Sequence, residues 1–134
     1  MSRNCVKYPV DKFIEEFPQF KDAGVTVYLD TKNLKELAPV IQKNADKFRR
    51  ILHVIFSFQY NNALYRKEGH TNKTRNVTAM KFLGGANERI YCKEFFDGEK
   101  KIVMITALAK KVQKNDKSIR NLIERIGDYE YEFE

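Results

Sequence analysis

A chain of 134 residues is long enough for one domain with a real core and too short for two. A hydrophobic fraction of 43% excludes disorder over most of its length. Lys and Arg number 25 against 18 Asp and Glu, and the surplus is concentrated in residues 66–120, where 14 basic residues face 6 acidic ones, so the field points to a polyanion, nucleic acid before membrane.

In chain order, Tyr8 to Phe20 reads as a short amphipathic helix that Asp11 can cap, with Phe13, Ile14 and Phe17 on one face; Pro18 and Asp22-Ala23-Gly24 close it. Val25 to Leu29 alternates β-branched and aromatic residues as a first strand, and Asp30 or Thr31 can cap a helix at the junction near residue 30. The pattern is helical from Leu34 to about Asn61, with Phe48, Ile51, Leu52, Ile55 and Phe58 sharing a face. Pro39 is expected to divide it into a short helix and a long one. Arg66 to Asn76 is polar, contains Gly69 and reads as a loop.

Three strands come next: Val77 to Leu83, a Gly84-Gly85 turn, Glu88 to Phe96, the hairpin signal Asp97-Gly98, and Lys100 to Ala109. Two short connections predict an antiparallel meander. Asn115 or Asp116 then caps a helix bearing Ile119, Leu122, Ile123 and Ile126 and ended by Gly127. The acidic, aromatic end, Asp128 to Glu134, is either a short strand or a tail.

The middle strand places Arg89, Tyr91, Lys93 and Phe95 on one face, with Ile90 and Cys92 on the other. Arg89 there either grips a phosphate by a forked pair of hydrogen bonds or pairs with Glu88 or Glu94. Tyr91 either stacks on a base or packs. Lys110, Lys111 and Lys114 read as a solvated strand end whose lysines discourage aggregation. Arg66, Lys67, Lys73 and Arg75 would extend the positive field along neighbouring phosphates, or form a solvated loop. His53 lies beside core positions of the long helix, and His70 sits in the basic loop as a phosphate contact, an acid or a solvated side chain.

No HExxH, P-loop, GxGxxG after a strand or Ser/His/Asp set is present, and the acidic residues near the sheet do not cluster at ligand spacing, so no metal and no cofactor is expected. Cys5 and Cys92 are too few and isolated for a zinc site. With no apolar run of membrane-spanning length and no signal-peptide pattern, the expected compartment is the cytoplasm, with no membrane partner.

The order strand, two helices, meander and C-terminal helix, together with Lys81-Phe82-Leu83, Arg89-Ile90-Tyr91 and the run from Ile102 to Lys114 with its Lys-Lys-x-Gln-Lys ending, resembles the RelE/ParE superfamily of bacterial toxins, above all its HigB-like, phage-associated branch. The resemblance implies an α+β fold: a small antiparallel sheet, one N-terminal strand plus a three-stranded meander, packed with two helices from the N-terminal half and a C-terminal helix. Residues 1–24 would be a helical addition to a single domain spanning residues 1–134.

It also implies the toxin of a type II toxin–antitoxin system, an endoribonuclease cleaving mRNA on the ribosome and neutralised by a helix-turn-helix antitoxin. RNA breaks when its 2′-OH attacks the adjacent phosphorus, so the protein must align the strand, help remove a proton and stabilise charge on the phosphorane, all without a metal. On that reading Arg89, Tyr91, Lys93, Lys110, Lys111 and Lys114 are the catalytic set, and Arg66, Lys73, Arg75 and Lys81 hold the strand. The alternative is a non-catalytic module, either a ParE-like topoisomerase inhibitor or an RNA-binding domain.

Overall fold

The computed structural model describes residues 2–84, 87–109 and 116–133. Its elements are β1 (Arg3–Lys7), α1 (Asp11–Glu16), β2 (Val25–Asp30), α2 (Leu34–Lys43), α3 (Ala45–Phe56), β3 (Tyr65–Lys67), β4 (Val77–Phe82), β5 (Glu88–Asp97), β6 (Glu99–Leu108), α4 (Asp116–Asp128) and β7 (Tyr131–Glu132). The strands form one sheet in the order β3-β4-β5-β6-β2-β1-β7.

The meander β4-β5-β6 is antiparallel as expected, but β2 joins β6 in parallel, β1 joins β2 antiparallel, and β7 joins β1 in parallel. The small antiparallel sheet with three helices is therefore corrected, among the described residues, to a seven-stranded mixed sheet with four α-helices. The correction has a physical source. In β1 only Cys5 is buried and β3 is three residues long, so neither carries the alternation that announces a strand, while β7 is the short-strand alternative of the acidic, aromatic end. Residues 1–24, expected to be a helical addition, thus bring a strand into the sheet, and their α-helix is confined to Asp11–Glu16.

Pro39 does not break α2; it lies inside the helix. The break falls at Asn44, whose side-chain Nδ2 donates back to the Val40 carbonyl at 2.8 Å while its own carbonyl accepts from the Phe48 amide at 2.8 Å. An asparagine that competes for backbone partners ends one helix and starts the next. The second helix also stops earlier than its apolar spacing implies. Phe58 lies beyond α3 at φ 56°, in the left-handed region, and the Gln59 amide reaches back to the Val54 carbonyl at 3.1 Å. This is the closing geometry that glycine usually supplies, and for a side-chain-bearing residue it costs on the order of 1 kcal/mol.

The sheet is covered on both faces. On one side α1, α2 and α3 pack through Phe13, Leu37, Ile51 and Ile55 against Met80, Ile90, Cys92, Ile102 and Met104. The helical spacing of Phe48, Ile51, Leu52 and Ile55 makes that face, and each such side chain contributes roughly 1.5–3 kcal/mol on burial. On the other side lie Ala79, Tyr91, Val103, Ile105 and Ile126, with Ile119, Leu122 and Ile123 of α4 packed against them. Strand β6 carries a bulge: Tyr91 faces Thr106 but Cys92 faces Met104, leaving Ile105 as the extra residue. The Asn33 side-chain Nδ2 donates to the Ile105 carbonyl at 2.6 Å. Among the described residues no helix is long and apolar enough to cross a membrane.

Candidate nucleic-acid interface

The sheet face that carries Arg89, Tyr91 and Lys93 is the one α4 covers, and this sorts the residues singled out from sequence. Tyr91 is only 1% exposed; burial, first among its causes, raises its hydroxyl pKa, with Arg89 opposing. Lys93 turns away from any ligand. Its ammonium donates to the Gly127 and Tyr129 carbonyls at 2.9 and 2.8 Å, closing the C-terminal end of α4, where a cation is favoured. Burial lowers its pKa, with Glu130 and Asp128 opposing. Lys110, Lys111 and Lys114 lie outside the described residues.

Arg89 does reach a cleft. A hollow of about 580 Å³ opens between the first half of α4 and the sheet, lined by Arg66, Glu68, His70, Arg89, Ile119, Arg120 and Ile123, with Tyr91 in its wall. Neither carboxylate that sequence offered to Arg89 is its partner. Glu88 is taken by Lys43 at 2.8 Å, and Glu94 lies buried on the opposite face. Arg89 instead meets Glu68 at 3.5 Å, and Glu68 also binds Arg66 at 3.1 Å. One carboxylate is thus shared by two guanidinium groups, and exposed Arg120 adds a third at the rim. The excess is felt by Lys81, whose pKa is lowered by burial and then by Arg66 and Arg89, with Glu68 opposing.

Lys81 itself is buried and donates to the Asn62 carbonyl at 3.0 Å, fastening the loop before β3 rather than facing a strand of RNA. Lys73 pairs with Glu124 at 3.3 Å and Asp128 at 3.0 Å on α4. The loop it belongs to is pinned rather than loose. Thr71 and Thr74 exchange backbone-to-side-chain hydrogen bonds, and a Cβ at Gly69 would stand 1.8 Å from the Thr74 carbonyl oxygen, so only glycine fits there. Arg75 is exposed.

A second hollow, about 480 Å³, continues the first around the β3 edge of the sheet. It shares Arg66, Glu68 and His70 and adds Tyr60, Asn62 and Lys67. Beneath it lies a buried polar knot. Glu94, fully buried, accepts from the Tyr60 hydroxyl at 2.8 Å and the Tyr65 hydroxyl at 2.6 Å, and pairs with buried Lys100 at 3.4 Å. Thr78 donates to the Tyr65 hydroxyl at 3.0 Å. Burial and then Glu94 push both tyrosines above the ordinary tyrosine range.

Among the described residues no group of three His, Cys, Asp or Glu side chains is placed to hold a metal ion. Sequence reasoning passed over Glu68 and Arg120, and it placed Phe58 in a helix core. The one available signal for Arg120 was its position between Ile119 and Ile123, the residues that anchor α4 to the sheet. No protein-family model matches the chain, and no curated protein or solved structure matches it either. Its class is therefore defined by its own geometry: among the described residues, helices on both faces of a seven-stranded mixed sheet. Its particular mark is a basic cleft that turns around the β3 edge of that sheet.

Proposed function

We propose that the chain is an RNA-binding module that holds the sugar–phosphate backbone of a single strand in the cleft formed by Arg66, Arg89 and Arg120. The observation that carries this reading is the shared carboxylate: Glu68 fixes the Arg66 and Arg89 guanidinium groups in place yet leaves the cleft with a cationic surplus. Guanidinium groups held in a fixed orientation are suited to forked hydrogen bonds with phosphate oxygens. His70 at the junction of the two hollows adds a donor to the same path.

The endoribonuclease toxin, with its ribosomal substrate and helix-turn-helix antitoxin, would use the same Arg89, but it draws less support. Of its proposed catalytic groups, Tyr91 is buried and Lys93 is committed to the end of α4. A ParE-like grip on a topoisomerase has no feature of its own in its favour.

The test is fluorescence anisotropy with a labelled single-stranded RNA across a salt series, with RNA length checked on a gel after each incubation. Arg89→Ala is expected to weaken binding by about 5- to 150-fold, the equivalent of about 1–3 kcal/mol, and to flatten the slope of log affinity against log salt by about 0.7. Intact RNA supports binding without chemistry. Shortened RNA whose cleavage is lost in Arg89→Ala favours the nuclease, and no RNA binding at physiological salt refutes the proposal.

A further inference from the structure

Two large aromatic side chains stand exposed where the chain leaves α3: Phe58 at 54% and Tyr60 at 44%. Neither exposure is explained by the core. Phe58 sits at the left-handed position that closes the helix, where a glycine is relaxed and a phenylalanine is strained, so the backbone holds an apolar ring outward at a conformational cost. Tyr60 is fixed in place. Its hydroxyl donates to buried Glu94 at 2.8 Å, and its ring lies parallel to buried Tyr65, with centroids 5.8 Å apart and an interplanar angle of 9°.

The segment between them and β3 is also rigid. The Asn61 amide bonds the Tyr65 carbonyl at 2.7 Å, the Asn61 side chain accepts from the Ala63 amide at 2.8 Å, and Lys81 holds Asn62 from below. Cations accompany the rings. Buried Lys100 lies 5.2 Å from the Phe58 ring centroid and 5.5 Å from that of Tyr60, and exposed Lys67 lies 5.3 Å from Tyr60. Tyr60 and Lys67 line the second hollow, which runs into the arginine cleft through Arg66 and His70.

We infer that Phe58 and Tyr60 are a base-stacking platform, and that the ligand is single-stranded RNA whose bases lie on these rings while its phosphates run through Lys67, Arg66 and Arg89. This inference rests on the RNA-binding reading of the cleft and deepens it. The strand must be single, because a base inside a duplex has no open face to offer a side chain. The platform is selective for polyanions that carry bases, because phosphate alone gains nothing from a ring.

The experiment compares wild type, Phe58→Gly, Tyr60→Ala and Arg89→Ala for binding to a labelled single-stranded RNA and, by competition, to inorganic polyphosphate, which carries no bases. Phe58→Gly is chosen because glycine relaxes at this backbone position, and circular dichroism and a melting curve confirm that each variant folds. Loss of one stacked base is expected to weaken RNA binding about 5- to 150-fold for Phe58→Gly and for Tyr60→Ala, with polyphosphate competition and the salt slope unchanged. Arg89→Ala is expected to weaken both ligands and flatten the slope. Folded Phe58→Gly and Tyr60→Ala proteins that bind RNA as wild type does overturn the platform, while the arginine cleft stands if Arg89→Ala still weakens binding. A wild-type protein that binds neither ligand overturns both.

Discussion

Replacing Glu94 by glutamine tests what holds the β3 corner of the molecule. The carboxylate is fully buried and takes three donors at once: the Tyr60 and Tyr65 hydroxyls at 2.8 and 2.6 Å and the Lys100 ammonium at 3.4 Å. Glutamine keeps the volume but loses the charge, and its amide nitrogen must face one of those donors. Lys100, 3% exposed, then loses its opposite charge and keeps its place beside the Phe58 and Tyr60 rings. Breaking a buried ion pair from one side costs about 3–5 kcal/mol, a large share of the roughly 7–20 kcal/mol expected for a chain of this length.

The assay is urea unfolding followed by circular dichroism. With a slope of about 2 kcal/mol per molar, the midpoint is expected to fall by about 1.5–2.5 M. The double variant Glu94→Gln/Lys100→Met removes both charges and is expected to regain most of that loss. A single substitution costing under about 1 kcal/mol, or a double variant no more stable than the single, refutes the reasoning that this pair anchors the corner.

Alkaline stability depends on the same burial. Tyr65 and Tyr131 are raised above the ordinary value of 10.0 by burial and by the neighbouring carboxylates Glu94 and Asp30. A pKa raised by folding stabilises fully below pH 10 and is lost above it. Each tyrosine held neutral is expected to remove about 1.4 kcal/mol per pH unit, with tyrosinate absorbance for these residues appearing only together with loss of circular dichroism. A complete tyrosinate signal near pH 10 in a folded chain would contradict this. For Lys93→Met, loss of the two hydrogen bonds to Gly127 and Tyr129 is expected to cost about 1.5–3 kcal/mol and to speed amide exchange in α4 ahead of the sheet, with RNA binding unchanged. Unaltered protection in α4 would show that the lysine does not fasten it.

What could be read from sequence depended on the length and regularity of each element. Strands β4, β5 and β6 and helices α3 and α4 were legible because each repeats its pattern over six residues or more. Strands β1, β3 and β7 take their shape from neighbours, as the Arg3 and Tyr131 contacts to buried Asp30 illustrate at 2.8 and 2.6 Å. Nothing local to Arg3-Asn4-Cys5-Val6-Lys7 announces that partnership. Alternation along β5 correctly put Arg89, Tyr91 and Lys93 on one face, but alternation does not say what covers a face. The apolar stripe of α4 announces a helix, and only its seating on that same face shows why Tyr91 is walled in and why Lys93 serves a helix end. Phe58 was misplaced for a simpler reason. Its spacing continues the apolar face of α3, while the left-handed turn that throws it outward carries no glycine to mark it.

Strands β1 and β7 lie side by side at one margin of the sheet, and β3 lies at the other. Six inter-strand steps of about 4.8 Å separate the margins, a span of about 29 Å. A dye, an affinity handle or a fused protein attached beside either β1 or β7 therefore hangs from the side remote from Arg66 and Tyr60. The molecule can be tethered to a surface there with its cleft pointing outward.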